Sequence, residues 1–233
     1  MGADRSLMRP QTSSASAIAP PGKDAWGGQG DMLTVKHRGR IDYSLCWNEM
    51  RAFTAQRDGA TADEVWLVEH APIFTLGLAA KPEHILDAGA IPVVHSDRGG
   101  QVTYHGPGQV VAYTLIDLKR RSLTVRGLVH RLEQCAIELL REYGVEGERS
   151  LGAPGVYVDG AKIAALGIRV VRGCSYHGLA LNVDMDLDPY SRINPCGYAG
   201  MRVTQMRELG VSAAPTLVAA RLADIIVRQM DRL

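Results

Sequence analysis

Gly155-Val156-Tyr157-Val158-Asp159-Gly160-Ala161-Lys162-Ile163-Ala164-Ala165-Leu166-Gly167-Ile168-Arg169-Val170-Val171-Arg172-Gly173-Cys174-Ser175-Tyr176-His177-Gly178-Leu179-Ala180-Leu181-Asn182-Val183 is the stretch that decides the fold class. An Asp159-Gly160 pair between two β-prone runs predicts a tight hairpin, because such a turn needs residues that tolerate positive φ. Gly173-Cys174-Ser175 predicts a second reversal, into a strand over 176–183. Three consecutive strands with no helix between them must run antiparallel.

Outward from there, Gln109 to Leu118 reads as a long strand that is apolar on both faces. Thr124 to Tyr143 is the clearest helix, with Leu128, Leu132, Cys135 and Leu139 on one stripe and Gly144 ending it. Met32 to His37, Val65 to His70, Ile73 to Leu76 and Pro92 to Ser96 read as shorter strands. Asp42 caps a helix to about Gln56, and a last helix spans about Pro215 to Met230. Helices interspersed with hairpins predict an α/β chain of α+β character, with a mixed, largely antiparallel sheet flanked by helices.

The composition is that of a globular protein, with 46% hydrophobic and 22% charged residues and a net charge of +1. Nothing in that charge draws the chain to nucleic acid or membrane. Residues 1–30, rich in Ser, Pro, Gly and Ala, read as a disordered tail, and 31–233 as a single domain. Asp4 and Asp24 weigh against a mitochondrial leader, although Arg5 and Arg9 leave it open. Four cysteines without C-x-x-C spacing argue for reduced thiols in a cytoplasmic protein, with no zinc site.

Of those cysteines, Cys46 and Cys135 fall on apolar helix stripes and Cys174 in a turn. Cys196 lies in Ile193-Asn194-Pro195-Cys196-Gly197-Tyr198-Ala199-Gly200, where Pro195 stiffens its approach and Gly197 leaves space beside it. That suits a nucleophile, and it also suits an ordinary turn. Lys162, just after the hairpin turn, shares by strand alternation a face with Ala164, Leu166, Ile168 and Val170. It is either a lysine reaching to water or one held at the mouth of an apolar pocket. A free thiol is mostly protonated at neutral pH and a free lysine almost wholly so, so each supplies what the other lacks. The sequence leaves open whether Lys162 is a neutral base or a cation beside a thiolate.

Arg98-Gly99-Gly100-Gln101-Val102-Thr103-Tyr104-His105-Gly106-Pro107-Gly108-Gln109 holds four glycines but fits neither the dinucleotide nor the Walker pattern. Its glycines permit a ligand to approach the backbone, and Arg98, Gln101 and His105 add polar groups. Ala165-Leu166-Gly167 and Gly178-Leu179-Ala180, on neighbouring strands, leave room for a slender apolar chain, or equally for tight packing. His70 and His177 lie where they can line such a site.

These residues resemble a known family. Arg98 to Tyr113, Gly160 to Gly167, His177 to Asn182 and Asn194 to Tyr198 are similar, in order and spacing, to the signatures of the octanoyltransferases of lipoate biosynthesis. Glu69-His-Ala-Pro-Ile-Phe-Thr75 is a weaker match, and the likeness spans about residues 32–210. It implies a fold like the catalytic domain of biotin and lipoate protein ligases. It implies transfer of octanoyl from octanoyl-acyl carrier protein to a lysine of lipoyl domains, those of 2-oxoacid dehydrogenase E2 subunits and the glycine cleavage H protein. Carried over, Cys196 is the acyl-thioester nucleophile and Lys162 its partner. Arg98 to His105, Ala165 to Gly167 and Gly178 to Ala180 are the acyl-binding positions. Ala165 stands where many members have Ser. No cofactor, ATP or metal is implied.

Lys119, Arg120, Arg121, Arg126 and Arg131 form a basic run without an acid. It reads as a solvated face or as a dock for an acidic carrier or lipoyl domain. The rival activities are an ATP-dependent ligase, a thioesterase, and a non-catalytic acyl-binding module.

Overall fold

Alternation along a central strand sets the architecture. In β6 (Gln109–Leu115), Val110 and Ala112 enter one core while Val111, Tyr113 and Leu115 enter another. A strand buried on both faces needs a layer on each side. On one side lie α2 (Val125–Glu142) and α3 (Pro215–Asp231); on the other lies α1 (Tyr43–Gln56). The structure is a computed structural model that describes residues 33–197 and 200–231, including the backbone but not the side chain of Cys196. The tail expected over 1–30 lies outside the described residues.

The remaining strands are β1 (Leu33–Arg40), β2 (Asp63–Glu69), β3 (Ile73–Leu76), β4 (Val93–His95), β5 (Val102–His105), β7 (Glu148–Ser150), β8 (Ala153–Val158), β9 (Ala161–Val171) and β10 (Cys174–Asn182). Seven form one sheet in the order β1-β2-β6-β10-β9-β8-β7, in which only β1 and β2 pair in parallel. The others, in the order β4-β3-β5, form a small sheet with its own core around Phe74, Tyr104 and Tyr190. The mixed, largely antiparallel sheet is the one the hairpin signals predict. Asp159 and Gly160 take φ of +49° and +73°, and Arg172 and Gly173 take +51° and +83°, so both turns are left-handed at both central residues.

Asp42 caps α1 as the sequence predicts, and Thr124, where the second helix is expected to start, is its cap. Asp42 accepts from the Leu45 amide at 2.8 Å, and Thr124 accepts from the Gly127 amide at 3.0 Å. Pairing with β2 ends at Leu115, and the Asp117 amide donates to the carboxylate of Asp63. The run stays beside β10 as far as the expected Leu118, with Asp117 opposite Cys174 and the Leu118 amide donating to the Gly173 carbonyl at 3.0 Å. β5 reads in the sequence only as a glycine-bracketed segment.

Candidate acyl-binding site

The site is built on one pair of strands and one loop. Along β9 and β10, Ala165 faces Ala180 and Gly167 faces Gly178, so small residues oppose small residues. Opposite them runs the loop from Ser96 to Gln101. Arg98 braces this loop from inside: its guanidinium donates to the carbonyls of Thr75 (2.6 Å), Gln101 (2.6 Å) and Gly99 (2.9 Å). The Gly99 amide donates to the Ile168 carbonyl on β9 at 3.1 Å. Between loop and strands lies a mainly apolar pocket.

Of the expected positions, Arg98, Gly100, Gln101, Val102, Thr103 and His105 line this pocket, as do Ala165, Leu166, Gly167, Gly178, Leu179 and Ala180. Two do not. Gly99 acts through its backbone, and strand alternation in β5 turns Tyr104 away, into the small core against Phe74 and Tyr190. Tyr43, Val111 and Tyr113 also line the pocket; Val111 and Tyr113 lie within the Arg98 to Tyr113 signature segment, whereas no motif marks Tyr43.

One end of the pocket is a cluster of aromatic rings and neutral histidines. His70 Nδ1 faces the Ile41 carbonyl at 2.8 Å, so that nitrogen carries the proton and Tyr113 donates its hydroxyl to Nε2. His105 Nδ1 donates to Gln109 Oε1 at 2.7 Å. The Gln109 amide is oriented in turn by donating to Asn182 Oδ1 at 2.9 Å. Burial drives His105 down to about 3 and lowers His70 and His177 as well, so all three are uncharged at neutral pH.

His177 has φ +61°, a costly conformation for this residue, and its ring packs on Tyr113. Its Nε2 donates to Asp97 Oδ1 at 3.0 Å. Asp97 also accepts from Trp47 Nε1 (2.7 Å) and from the Tyr176 hydroxyl. Burial alone would raise the Asp97 carboxyl, but the donors from His177, Tyr176 and Trp47 outweigh it and hold it at about 2. Asp97 thereby ties α1, β10 and the loop together.

Lys162 is only 4% exposed. Its Nζ donates to the Pro154 carbonyl at 3.0 Å and lies 5.1 Å from the centre of the Tyr157 ring. Strand alternation puts it on the face of Ala164; the structure corrects this. Val156 pairs with Ala164 and Tyr157 with Lys162, which leaves Ile163 as an extra residue in a bulge. Ile163 and Ala164 both enter the larger core, while Lys162 faces the other way with Tyr157.

Its backbone is held by the chain that follows Cys196. The Lys162 amide donates to the Arg202 carbonyl at 2.8 Å, and the Thr204 amide donates to the Lys162 carbonyl at 3.0 Å. Pro195 to Gly197 form one helical turn, closed from the Gly197 amide to the Asn194 carbonyl at 2.9 Å. A side chain at Gly197 would come within 3.3 Å of His84 Nε2 and 3.4 Å of Gln101 Cδ. The backbone around Cys196 therefore adjoins Gln101 on the pocket wall.

Cys46 and Cys135 are fully buried, and burial pushes each thiol up to about 12, so neither is a nucleophile. Cys174 is partly buried, and its thiol too is raised by burial.

The basic run divides. Arg121 is buried and donates to Asp63 Oδ2 at 2.5 Å; Arg120 reaches Asp63 Oδ1 at 2.6 Å. The acid missing from the local sequence comes from β2, so these two arginines are internal braces and not a docking face. Lys119 and Arg126 remain exposed.

The family model of the lipoyl protein ligase A/B catalytic domain matches residues 42–228. The octanoyltransferase of Thiobacillus denitrificans is 59% identical over 196 residues, covering 84% of this chain and 90% of that protein. That of Chromobacterium violaceum is 56% identical over 198 residues, covering 85% and 94%. Among solved structures, a bi-partite lipoate protein ligase from Thermoplasma acidophilum superposes with a TM-score of 0.67 at 15% identity, covering 85% of this chain and 84% of that one. Biotin protein ligase from Aquifex aeolicus, in complex with biotin and ATP, gives 0.56 at 12% identity, covering 85% and 71%. These two share the fold.

Proposed function

This chain belongs to the lipoyl protein ligase A/B catalytic-domain family, and from that premise we infer that it is an octanoyltransferase of protein lipoylation. The observation that carries the reading is the apolar pocket walled by the Ala165–Ala180 and Gly167–Gly178 pairs on the strand that bears Lys162. A slender acyl chain fits between residues that small. The donor is octanoyl-acyl carrier protein, and the acceptor is a lysine of a lipoyl domain.

Cys196 attacks the donor thioester as the thiolate. The C–S bond to the carrier breaks, the carrier leaves as a thiol, and an acyl-Cys196 thioester forms. The unprotonated amine of the acceptor lysine then attacks that thioester and releases the Cys196 thiolate as an amide forms. The first step exchanges one thioester for another and is nearly balanced; the second yields the more stable amide. Lys162 stabilises the thiolate and moves protons between the steps. Because the acyl group arrives activated, the reaction uses no ATP and no metal, and it belongs to the cytoplasm. Among the described residues, no helix is long and apolar enough to cross a membrane.

Incubation with octanoyl-acyl carrier protein should add one octanoyl group to the intact mass, and Cys196→Ala should abolish both adduct and transfer. Full transfer by Cys196→Ala would overturn the mechanism. Turnover of free octanoate only with ATP would make the chain a ligase, and acyl release without acceptor would make it a thioesterase.

A further inference from the structure

Glu133 sits on α2 between the core residues Leu132 and Cys135, and it is 7% exposed. A carboxylate that deep needs partners that repay its desolvation. One is Arg149 on β7, whose Nε donates to Glu133 Oε2 at 3.1 Å. The other is a backbone group: the Gly155 amide donates to Glu133 Oε1 at 3.0 Å.

That amide belongs to the same peptide as the Pro154 carbonyl, which accepts from Lys162 Nζ at 3.0 Å. A single planar peptide therefore has a buried carboxylate at its N–H end and the lysine at its C=O end. Hydrogen bonds in such a chain polarise one another, so the carboxylate makes the Pro154 oxygen a stronger acceptor. A stronger acceptor, with a negative charge behind it, favours the ammonium form of the lysine over the amine.

Gly155 is also specific to this arrangement. Its φ is +144°, and a Cβ there would lie 2.7 Å from the Ala164 carbonyl oxygen and 2.9 Å from Lys162 Cε. No other residue leaves room for the lysine to lie along this peptide. The fit gives Gly155 a purpose that neither the hairpin nor the pocket supplies.

We propose that Glu133 is a positioning residue for Lys162, holding its amino group on the Pro154 carbonyl as a cation through the Pro154–Gly155 peptide. The proposal rests on the acyl-transfer reading and narrows it: Lys162 enters the reaction as the cation beside a thiolate. Against Lys162 itself β8 places the Tyr157 ring, and behind the Pro154–Gly155 peptide stand Glu133 of α2 and its partner Arg149 of β7. Arg202 approaches through its carbonyl, while its guanidinium donates to the Asp159 carbonyl. Cys196 is the reacting partner.

The test is the pH profile of kcat/KM for octanoyl transfer from a small octanoyl thioester to a lipoyl domain. Wild type is compared with Glu133→Gln and Arg149→Met, each first shown to be folded by thermal unfolding. Removing the negative charge disfavours the ammonium, so Glu133→Gln should move the alkaline limb to lower pH and cost about five- to ten-fold at the wild-type optimum. Removing the counter-charge of Glu133 should move the same limb the other way, so Arg149→Met shifts to higher pH. Opposite shifts support the proposal. Superimposable profiles, or shifts of the same sign, overturn it and leave the acyl-transfer reading standing. Should Glu133→Gln fail to fold, Arg149→Met decides alone: an upward shift supports the proposal and an unmoved limb overturns it. A wild-type protein that neither forms the Cys196 adduct nor transfers the acyl group sinks the underlying reading instead.

Discussion

Gly178 and Gly167 face each other across two strands, yet they lack side chains for different reasons. A Cβ at Gly178 would lie 2.1 Å from the carbonyl oxygen of Ala112 in β6, which is backbone and cannot move aside. At Gly167 the nearest atoms are the Gly99 oxygen at 3.0 Å and Arg98 Cδ at 3.2 Å, distances that a shift of a few tenths of an ångström relieves. Gly178→Ala should therefore cost about 3 kcal/mol or more, as overpacking against backbone does. Gly167→Ala should cost about 1–2 kcal/mol and should act mainly on the acyl chain, raising KM for the octanoyl donor. Urea unfolding and donor kinetics on the two variants separate these effects. In the sequence both glycines read equally as pocket space or as tight packing; the backbone conflict at Gly178 arises where β10 pairs with β6, opposite Ala112 and Tyr113, which no spacing reveals.

At the scale of elements, the histidine cluster joins the ends of β2 and β5 to the middle of β10 and makes the pocket sensitive to acid. His105 is buried and neutral, held at about 3 by desolvation first and then by its neighbours His70, Arg98 and His177. In the unfolded chain it titrates near 6.5. The unfolded state therefore binds a proton that the native state refuses as pH falls below about 6.5, and stability is lost until pH reaches about 3. The slope is about 1.4 kcal/mol per pH unit for each such histidine. His105→Gln should flatten the fall in unfolding free energy between pH 6.5 and 5 by about that amount per unit, as measured by urea titration at each pH. An unchanged slope would show that His105 titrates normally.

The same scale shows what the sequence could say. The hairpins, the three helices, the Asp42 cap and the Gly144 helix end were legible because turn chemistry and hydrophobic period are local. The face of Lys162 was not, because the bulge at Ile163 breaks the period of two and depends on how β8 pairs with β9. Nothing local marks Glu133, because its neighbours on α2 read as core and its partners, Arg149 and the Gly155 amide, lie 16 and 22 positions away. Tyr43 joins the pocket from α1, which carries no motif; Tyr113 ends the signature segment, but nothing local turns its ring toward the pocket.

For the molecule as a whole, one carboxylate closes the structure. Asp63, at the start of β2 and fully buried, accepts from Arg57 after α1 at 2.5 Å. It also holds Arg120 and Arg121 after β6. Arg121 continues to the Met230 carbonyl in the last turn of α3 at 3.0 Å. Burial would raise the Asp63 carboxyl, but Arg121, the Asp117 amide and Arg57 together lower it. Helices on opposite faces of the sheet thus share one anion, and removing it strands several guanidinium groups, two of them deep in the protein. Asp63→Ala should destabilise the fold by about 3–5 kcal/mol, the range for breaking a buried ion pair from one side. Arg121→Glu should be at least as damaging, since it places a second anion against the first. If Arg120 and Arg121 instead formed a docking face for an acidic carrier, Arg121→Glu would keep its melting temperature and raise KM for the carrier alone. Thermal unfolding beside carrier-dependent kinetics distinguishes the two. The geometry predicts a large fall in Tm, with KM for the carrier unchanged in whatever fraction stays folded at low temperature.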